Sequence, residues 1–288
     1  MPDTATQNVS LHRRLVNNLA IAAITAATLI VLAPLVLILG NVIYRGITAL
    51  NWNFFIHIPA PVGETGGGMA NAIAGSGLIL LVASAIGVPL GVGSGIFLAE
   101  YGRNTAGNVV RFTADVLNGI PSIEIGMTAY ALVVLTQGHF SLLAGGIALG
   151  IMMVPVVSRT TEEVLLMVPQ SIREAALGLG IPQWRTILSV VLPSAASGII
   201  TSIMLAFARV AGEAAPLMFT ALGNQFWNLK LNQPTAALPL QIFAYSTSAY
   251  EESHQQAWTG ALVLIGLIMT TVIVVRFVTS RGFLKGAN

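Results

Sequence analysis

The sequence predicts an all-α polytopic integral membrane protein with six transmembrane helices. Of its 288 residues, 55% are hydrophobic and 8% are charged, and its mean hydropathy is +0.81. Soluble domains carry about 25% charged residues. Apolar runs longer than the roughly 18 to 20 residues that cross a bilayer recur along the chain, and backbone groups in hydrocarbon have to pair within helices. The six predicted spans lie at about 17–43, 70–99, 109–136, 141–167, 194–222 and 257–279.

The spans divide the chain into a first anchor helix and a core of five helices. The apolar run of the first span, about 27 residues, is too long for a cleaved signal peptide. We therefore expect this helix to be retained as a membrane anchor. The predicted segments are a cytoplasmic tail (1–16), the anchor (17–44), an outer loop (45–69), the core (70–279) with an inner loop (168–193) and an outer loop (223–256), and a cytoplasmic tail (280–288). The second outer loop is either a plain connector or contains a short interfacial helix.

The basic residues predict which side each end faces. With the N-terminus inside, ten Lys and Arg residues fall on the cytoplasmic side, and Arg45 and Lys230 fall outside. Loops rich in Lys and Arg stay in the cytoplasm, so an even number of spans puts both termini there. The formal net charge of +2 gives no reason to expect nucleic-acid binding. The ten residues are Arg13, Arg14, Arg103, Arg111, Arg159, Arg173, Arg185, Arg276, Arg281 and Lys285.

Two glycine-containing stretches predict how the core helices pack and bend. Gly87, Gly91 and Gly95 recur every four residues in the second span, a pattern that lets membrane helices approach closely. The third span contains Gly119-Ile120-Pro121-Ser122, which predicts a broken helix, and freed backbone groups at such breaks often line a cavity. Glu124 follows the break. It either faces that cavity, where it pairs or titrates, or reaches to the inner interface.

A charged, amphipathic stretch from Ser171 to Pro193 interrupts the apolar sequence. Ser171 and Glu174 have the spacing of a capping box, which predicts a helix start, and Gly180 suits the left-handed residue that ends a helix. Pro182 suits the first turn of a second short helix. Each helix carries an apolar stripe, so the stretch is either a docking element for a partner protein or a helix pair lying on lipid. The stripes are Ile172, Ala175, Ala176 and Leu179, then Trp184, Ile187, Leu188 and Val191.

Polar residues mark one predicted face of the fifth span. Arg209 and Glu213 are four residues apart near its middle, where an isolated Arg costs about 2.5 to 3.5 kcal/mol to insert. We therefore expect the two side chains to pair and to face protein or water. Either Arg209 offers several donors to a translocating oxyanion, with Glu213 orienting it, or the pair merely holds helices together. The predicted face comprises Ser202, Ala206, Arg209, Glu213, Pro216 and Thr220.

Catalytic, metal-binding and nucleotide-binding patterns are absent from the sequence. The four histidines are isolated, and Glu251-x-x-His254 is a single copy of a metal-site spacing in a polar loop. Gly91-x-Gly93-x-Gly95 follows no predicted strand, and no phosphate-binding P-loop motif occurs. No cysteine is present to form a disulfide or a thiolate ligand. We expect a non-enzymatic chain with no catalytic residue, metal ion or cofactor of its own.

The motifs resemble those of a known family. Glu174-Ala175-Ala176, Gly180 and Val190-x-Leu192-Pro193 resemble the EAA loop of importer-type ABC permeases, with Val190 where isoleucine is commoner. More narrowly, five further motifs resemble the phosphate-specific permease of the PstA type, and the likeness covers nearly the whole chain from about residue 13. They are Leu98-Ala99-Glu100-Tyr101-Gly102, Gly119-Ile120-Pro121-Ser122, Arg159-Thr160-Thr161-Glu162-Glu163, the stretch 208–217, and the stretch 219–227.

This resemblance implies a MetI-like permease core whose EAA loop is a coupling-helix pair that docks onto a cytoplasmic ATPase. The chain would lie in the bacterial inner membrane. The implied partners are a paralogous second permease subunit, an ATPase dimer that binds the ATP and Mg²⁺, a periplasmic phosphate-binding protein, phosphate and membrane lipid. The residues expected at the ATPase contact are Arg173, Glu174, Ala175, Ala176, Gly180, Trp184 and Arg185.

The resemblance also implies a subunit of an ATP-driven phosphate importer that works by alternating access. An arginine and a glutamate of the late span serve transport in that family, and they match Arg209 and Glu213. Ser202, Thr220 and Glu124 are the other expected pathway residues. Glu124 stands where the family usually has an apolar residue, which leaves an altered gate or an altered pairing for Arg209 open. Ala214 stands where threonine is common, which removes a hydroxyl from the path. The alternatives are a proton-coupled secondary carrier with Glu124 and Glu213 as its relay, and an ABC permease for sulfate or phosphonate.

Overall fold

The computed structural model describes residues 11–61, 64 and 66–285, and this part of the chain consists of helices and their connections. Residues 1–10 and 286–288 of the two predicted tails lie outside the described residues. The described parts of those tails belong to the first and last helices. In chain order the helices are α1 (Leu11–Gly46), α2 (Trp52–Ile56), α3 (Ala70–Glu100), α4 (Thr105–Gly119), α5 (Ser122–Gln137), α6 (Leu142–Leu166), α7 (Gln170–Gly178), α8 (Gln183–Ala211), α9 (Ala215–Met218), α10 (Leu238–Ser246) and α11 (Glu251–Lys285).

Five described helices are long and apolar enough to cross a membrane, namely α1, α3, α6, α8 and α11. The pair α4 and α5 passes the same test together but is bent by 105°. Counted as one span, the bent pair brings the total to the six predicted. The chain is thus a multi-pass membrane protein.

The break predicted within the third span, 109–136, is confirmed, because the span consists of the two helices α4 and α5. Ile120 and Pro121 have extended backbones, with ψ of 132° and 138°. Proline pushes the residue before it away from the helical region and cannot donate to the preceding turn. The chain therefore ends α4 at Gly119 and starts α5 at Ser122 in a new direction.

The fifth predicted span, 194–222, is wrong at both ends. Helix α8 begins eleven residues earlier, at Gln183, and stops at Ala211, before the short helix α9. Gly212 disfavours helix because of its backbone entropy, and Pro216 fits only the first turn of a new helix. Together they divide the predicted span into two helices.

The core is built on close contact between α3 and α6, as the glycine repeat predicts. A Cβ atom placed on Gly87, Gly91 or Gly95 would lie 2.6 to 2.7 Å from the Cβ of Met153, Val157 or Thr161 on α6. Only glycine allows the two backbones to approach so closely. The largest apolar cluster surrounds this contact and includes Ile79, Ile125, Leu149, Met153, Val157, Val210 and Leu217.

The two predicted outer loops contain ordered structure. Phe54 of α2 and Leu238 of α10 are 2% and 1% exposed, and they share an apolar cluster with Met69 and Val263. The backbone N–H groups of Leu142 and Leu143 at the start of α6 donate to carbonyl oxygens of Gln233 and Leu231, at 2.9 Å each. The loop after α9 therefore caps α6, and α10 is the short helix that the sequence left open.

Helix α1 is the least buried long helix. The most apolar window of α1 has no buried residue, although the helix packs on α11 at its C-terminal end. There the Thr259 hydroxyl donates to the carbonyl of Gly46 at 2.9 Å. The remaining length of α1 is open to lipid or to another subunit.

Candidate functional site

The first candidate site is the elbow, which we define as α7, the turn that follows it and the first turns of α8, residues 170–193. The predicted capping box at its start is wrong, because α7 begins at Gln170 and Ser171 lies inside its first turn. Pro169 precedes the helix with φ of −56°, which starts a helix without a side-chain cap. The predicted left-handed residue is confirmed, since Gly180 has φ of +78°.

The second half of the elbow belongs to a membrane helix rather than to a short helix of its own. Pro182 flanks α8 with φ of −65° and ψ of 150°, one position before the predicted first turn. From Gln183 the helix continues to Ala211, with one wider π-helical turn at Ile187–Val191. Trp184 therefore lies on the same continuous helix that enters the core.

Most residues predicted for the ATPase contact lie on the surface of the elbow. Glu174, Ala175, Gly180 and Arg185 are exposed, and Trp184 is 60% exposed. Leu179 is 82% exposed, so much of the predicted apolar stripe has no cover from its own chain. Ala176 departs from this pattern, because it is buried against the rest of the molecule. The surface is available to a partner protein or to lipid.

Arg173 also departs from the prediction, because it faces inward. Its Nη2 lies 2.8 Å from Oε1 of Glu100, and its Nε lies 3.2 Å from the same oxygen. The guanidinium also donates to the carbonyl oxygens of Leu165 and Val168. Arg173 thus binds the ends of α3 and α6, and nothing in the sequence pattern assigned it or Glu100 that role.

A second group of paired charges lies near the same end of the bundle, and sequence reasoning missed it. The Glu162 side chain, 4% exposed, accepts from Arg111 Nε and Arg159 Nη1, each at 2.6 Å. Arg111 also donates to the carbonyls of Leu98 and Gly102 at the end of α3. Arg159 Nε lies 3.2 Å from Asp115. An acid near the end of an apolar span, with basic residues nearby in the sequence, was the available signal.

The second candidate site is the charged region around Arg209, and its predicted geometry is only partly correct. Arg209 lies in the last turn of α8, where it is exposed, and Glu213 lies half-buried in the turn beyond that helix. The predicted ion pair is wrong, since no described residue makes an ion pair or side-chain hydrogen bond with either. The predicted single helical face is wrong too, because the helix ends two residues before Glu213.

The two hydroxyl residues predicted for this face are buried within the chain. Ser202 is 6% exposed and donates to the carbonyl of Gly198 at 3.0 Å. Thr220 is fully buried and donates to the carbonyl of Pro216 at 2.8 Å. Both hydroxyl protons are therefore used inside helical turns, and their role in a pathway stays a prediction.

Glu124 lies close to the same region in the fold. It sits in the first turn of α5, exposed and without an ion pair to any described residue. A Cβ on Gly126 would lie 2.7 Å from Cα of Pro216, so α5 packs directly on α9. Ile125 and Val210, the neighbours of Glu124 and Arg209, belong to one apolar cluster. Glu124, Arg209 and Glu213 thus lie on adjoining segments of the fold, and none of them has a partner among the described residues.

Metal binding finds no support in the part of the chain that the structure describes. No group of three or more His, Cys, Asp or Glu side chains could hold an ion there. Nδ1 of His254 lies 3.6 Å from Oε2 of Glu251, and both residues belong to the first turn of α11.

Comparison with known proteins gives a consistent result. Residues 87–283 match the model of the family described as "Binding-protein-dependent transport system inner membrane component". The chain is 44% identical over 270 residues to a phosphate transport system permease protein PstA from Yersinia pestis, covering 93% of this chain and 92% of that one. It is 37% identical over 266 residues to a PstA from Mycobacterium leprae, covering 90% and 87%.

A solved structure shares the fold. The MetNI methionine ABC transporter, in an inward-facing conformation, matches with a TM-score of 0.54 and 18% identity. The match covers 75% of this chain and 92% of that one. At this identity the likeness concerns the fold alone.

Proposed function

Since the chain belongs to the family of binding-protein-dependent transport system inner membrane components, we propose that it is the permease subunit of an ATP-driven importer for inorganic phosphate. It forms half of the translocation pathway and catalyses no reaction itself. ATP and Mg²⁺ bind to a partner ATPase. Phosphate is assigned because relatives 37% to 44% identical over at least 90% of this chain are named phosphate transport permeases.

The observation that carries the proposal is the continuity of α8. This one helix has Trp184 of the exposed elbow near its start and Arg209 in its last turn. At 1.5 Å per residue, the two lie roughly 37 Å apart along the helix. A force applied at the elbow can therefore move a cation near the other side of the membrane.

The chemistry of Arg209 suits a passing oxyanion. A guanidinium stays charged and presents a planar set of donors that matches phosphate. An intramembrane Arg is costly unless it meets an anion, protein or water. Arg209 has no partner among the described residues, so we assign it to bind phosphate during passage. Glu213 and Glu124 limit how tightly the anion is held, and Ser202 and Thr220 support the backbone beside the pathway.

The proposed complex follows from the exposed surfaces. The elbow faces the cytoplasm and docks into an ATPase dimer through Glu174, Ala175, Gly180, Trp184 and Arg185. A paralogous permease supplies the other half of the pathway, and a periplasmic binding protein delivers phosphate. ATP-bound closure of the ATPases opens the core outward, and hydrolysis resets it. Both termini lie in the cytoplasm of a bacterium whose inner membrane holds the complex.

Reconstitution tests this proposal against its alternatives. Proteoliposomes that contain the full complex and binding protein should take up radiolabelled phosphate only when ATP is present at the ATPase side. Liposomes with this chain alone should take up none under an imposed pH gradient. Uptake by the chain alone would instead support a proton-coupled carrier. ATP-driven uptake of sulfate or phosphonate in place of phosphate would keep the transporter class and reject the substrate.

A further inference from the structure

Helix α7 is held to the rest of the molecule with little help from apolar packing. Ala176 is its one buried residue. Ile172 and Leu177 are 37% and 46% exposed. A nine-residue helix is too short to be stable by itself, so its position must depend on specific contacts.

Arg173 supplies those contacts through four hydrogen bonds. Two go to Oε1 of Glu100, and one each goes to the carbonyl oxygens of Leu165 and Val168, over distances of 2.5 to 3.2 Å. The Arg173 and Glu100 side chains are 12% and 7% exposed. Charged hydrogen bonds shielded from water are strong and fix geometry. A planar guanidinium can bind three acceptors at once, whereas lysine cannot reproduce that arrangement.

The acceptors belong to the most tightly packed pair of helices. Glu100 is the last residue of α3, Leu165 lies in the last turn of α6, and Val168 follows α6. These two helices meet at the three glycines of α3, where no side chain could fit between them. They should therefore move together, and Arg173 joins α7 to both.

We propose that Arg173 is a positioning residue that transmits movement of the docked elbow to the α3–α6 pair. This inference rests on the proposed function. Movement of the elbow then reaches the core by two routes. Its second half moves Arg209 through the continuous helix α8, and its first half moves α3 and α6 through the Arg173–Glu100 link. Import requires both movements to occur together, so loss of the link uncouples ATP hydrolysis from transport.

The test compares phosphate uptake with ATP hydrolysis in proteoliposomes that contain the complete transporter. Arg173→Ala should lower the phosphate taken up per ATP hydrolysed at least tenfold, while the ATPase still copurifies with the membrane subunits. Arg103→Ala is the matched control, because Arg103 is exposed, lines one cavity together with Arg173 and has no partner among the described residues. The phosphate that this control takes up per ATP hydrolysed should stay within twofold of the wild-type value.

A second variant covers the case in which Arg173→Ala does not assemble. The chain contains no cysteine, so Glu100→Cys with Arg173→Cys can be joined by a short bis-methanethiosulfonate reagent. Both positions line this cavity, whose volume is about 620 Å³. The uptake ratio should be low in the unbridged variant, rise at least fivefold on bridging and fall again on reduction.

Three results would overturn the inference. The first is an unchanged amount of phosphate taken up per ATP hydrolysed in Arg173→Ala. The second is an equal loss of uptake and of ATPase binding that bridging does not restore. The third is a bridged double-cysteine variant whose uptake per ATP stays low. Failure of the proposed function looks different, because the wild-type complex itself would then show no ATP-dependent phosphate uptake.

Discussion

The charges at the elbow end and the charges around Arg209 differ in one respect. At the elbow end, Arg111, Arg159 and Arg173 all bind acids of the same chain, and the two central acids are less than 10% exposed. Around Arg209, the three charged residues have no ion pair with any described residue. The same residue types thus occur in two opposite arrangements within one bundle.

The difference separates charges that maintain shape from charges that await something outside the chain. A buried acid without its partner is costly, so a paired network holds helices in one geometry. An exposed, unpaired cation adds nothing to folding, yet it costs free energy to place in a membrane. A function beyond this chain, in substrate or partner binding, accounts for its presence. Changes at the first group should therefore alter stability, and changes at the second should alter transport.

The largest expected effect is on stability, from Glu162→Ala. Removing this carboxylate leaves Arg111 without an acidic partner and Arg159 with Asp115 alone, and loss of one partner of a buried pair costs about 3 to 5 kcal/mol. The free energy of unfolding should fall by that amount in an SDS titration of the purified subunit. Glu163→Ala is the control, because Glu163 is exposed and its side chain has no partner among the described residues. Equal losses in the two variants would remove the distinction between paired and unpaired charges.

Glu213→Gln should affect transport and leave stability unchanged. In the proposed function Glu213 limits how tightly the anion is held, so removing its negative charge should tighten phosphate binding and slow release, with about tenfold in rate for each 1.4 kcal/mol. Phosphate uptake by the complete transporter should fall accordingly, while the SDS midpoint stays the same. A lower midpoint with normal uptake would place Glu213 in the structural group.

Gly91→Ala should destabilise the packing of α3 against α6. The new Cβ would lie 2.6 Å from Cβ of Val157, and overpacking a filled contact costs about 1 to 3 kcal/mol. Gly93→Ala controls for the helix propensity of alanine, because nothing lies within 4 Å of a Cβ there. The expected observation is a difference in unfolding free energy between the two variants. If they unfold alike, the close contact of α3 and α6 does not limit stability.

Asn104→Ala should have the smallest effect. The Asn104 side chain caps α4 by accepting from the N–H of Gly107 at 2.8 Å, and an asparagine cap contributes about 1 kcal/mol. The unfolding free energy should drop by that amount, with uptake retained. Asn118→Ala, in the last turn of the same helix, should change it by less than about 0.5 kcal/mol. A loss of uptake in Asn104→Ala at normal stability would show that α4 serves transport directly.

Features that depend on neighbouring residues could be predicted from the sequence. The break at Gly119–Ser122 and the left-handed Gly180 are local properties of glycine and proline, and both predictions are confirmed. The glycine repeat of α3 predicted a close helix contact because its spacing alone creates a flat face. The length and hydropathy of the spans were sufficient to identify the membrane class.

Features that depend on competition or on distant contacts could not be predicted. Ser171 has the residue type and spacing of a helix N-cap, but α7 begins earlier, directly after Pro169. Six residues at helical spacing suggested one face, yet Gly212 ends the helix before Glu213. Glu100 lies 73 residues from Arg173 and Arg111 lies 51 residues from Glu162, and these two long-range pairs need the fold before they can be recognised. The roles of Arg209, Glu213 and Glu124 in transport stay predictions.

Arg209→Gln tests the division between the two groups most directly when uptake and unfolding are measured on the same purified transporter. Arg276→Gln is the matched control, because Arg276 is also an exposed arginine within a spanning helix. We predict that Arg209→Gln lowers ATP-driven phosphate uptake at least tenfold and shifts the unfolding free energy by less than about 0.5 kcal/mol, while the control retains both. Normal uptake by Arg209→Gln, or a loss explained by unfolding, would contradict the account.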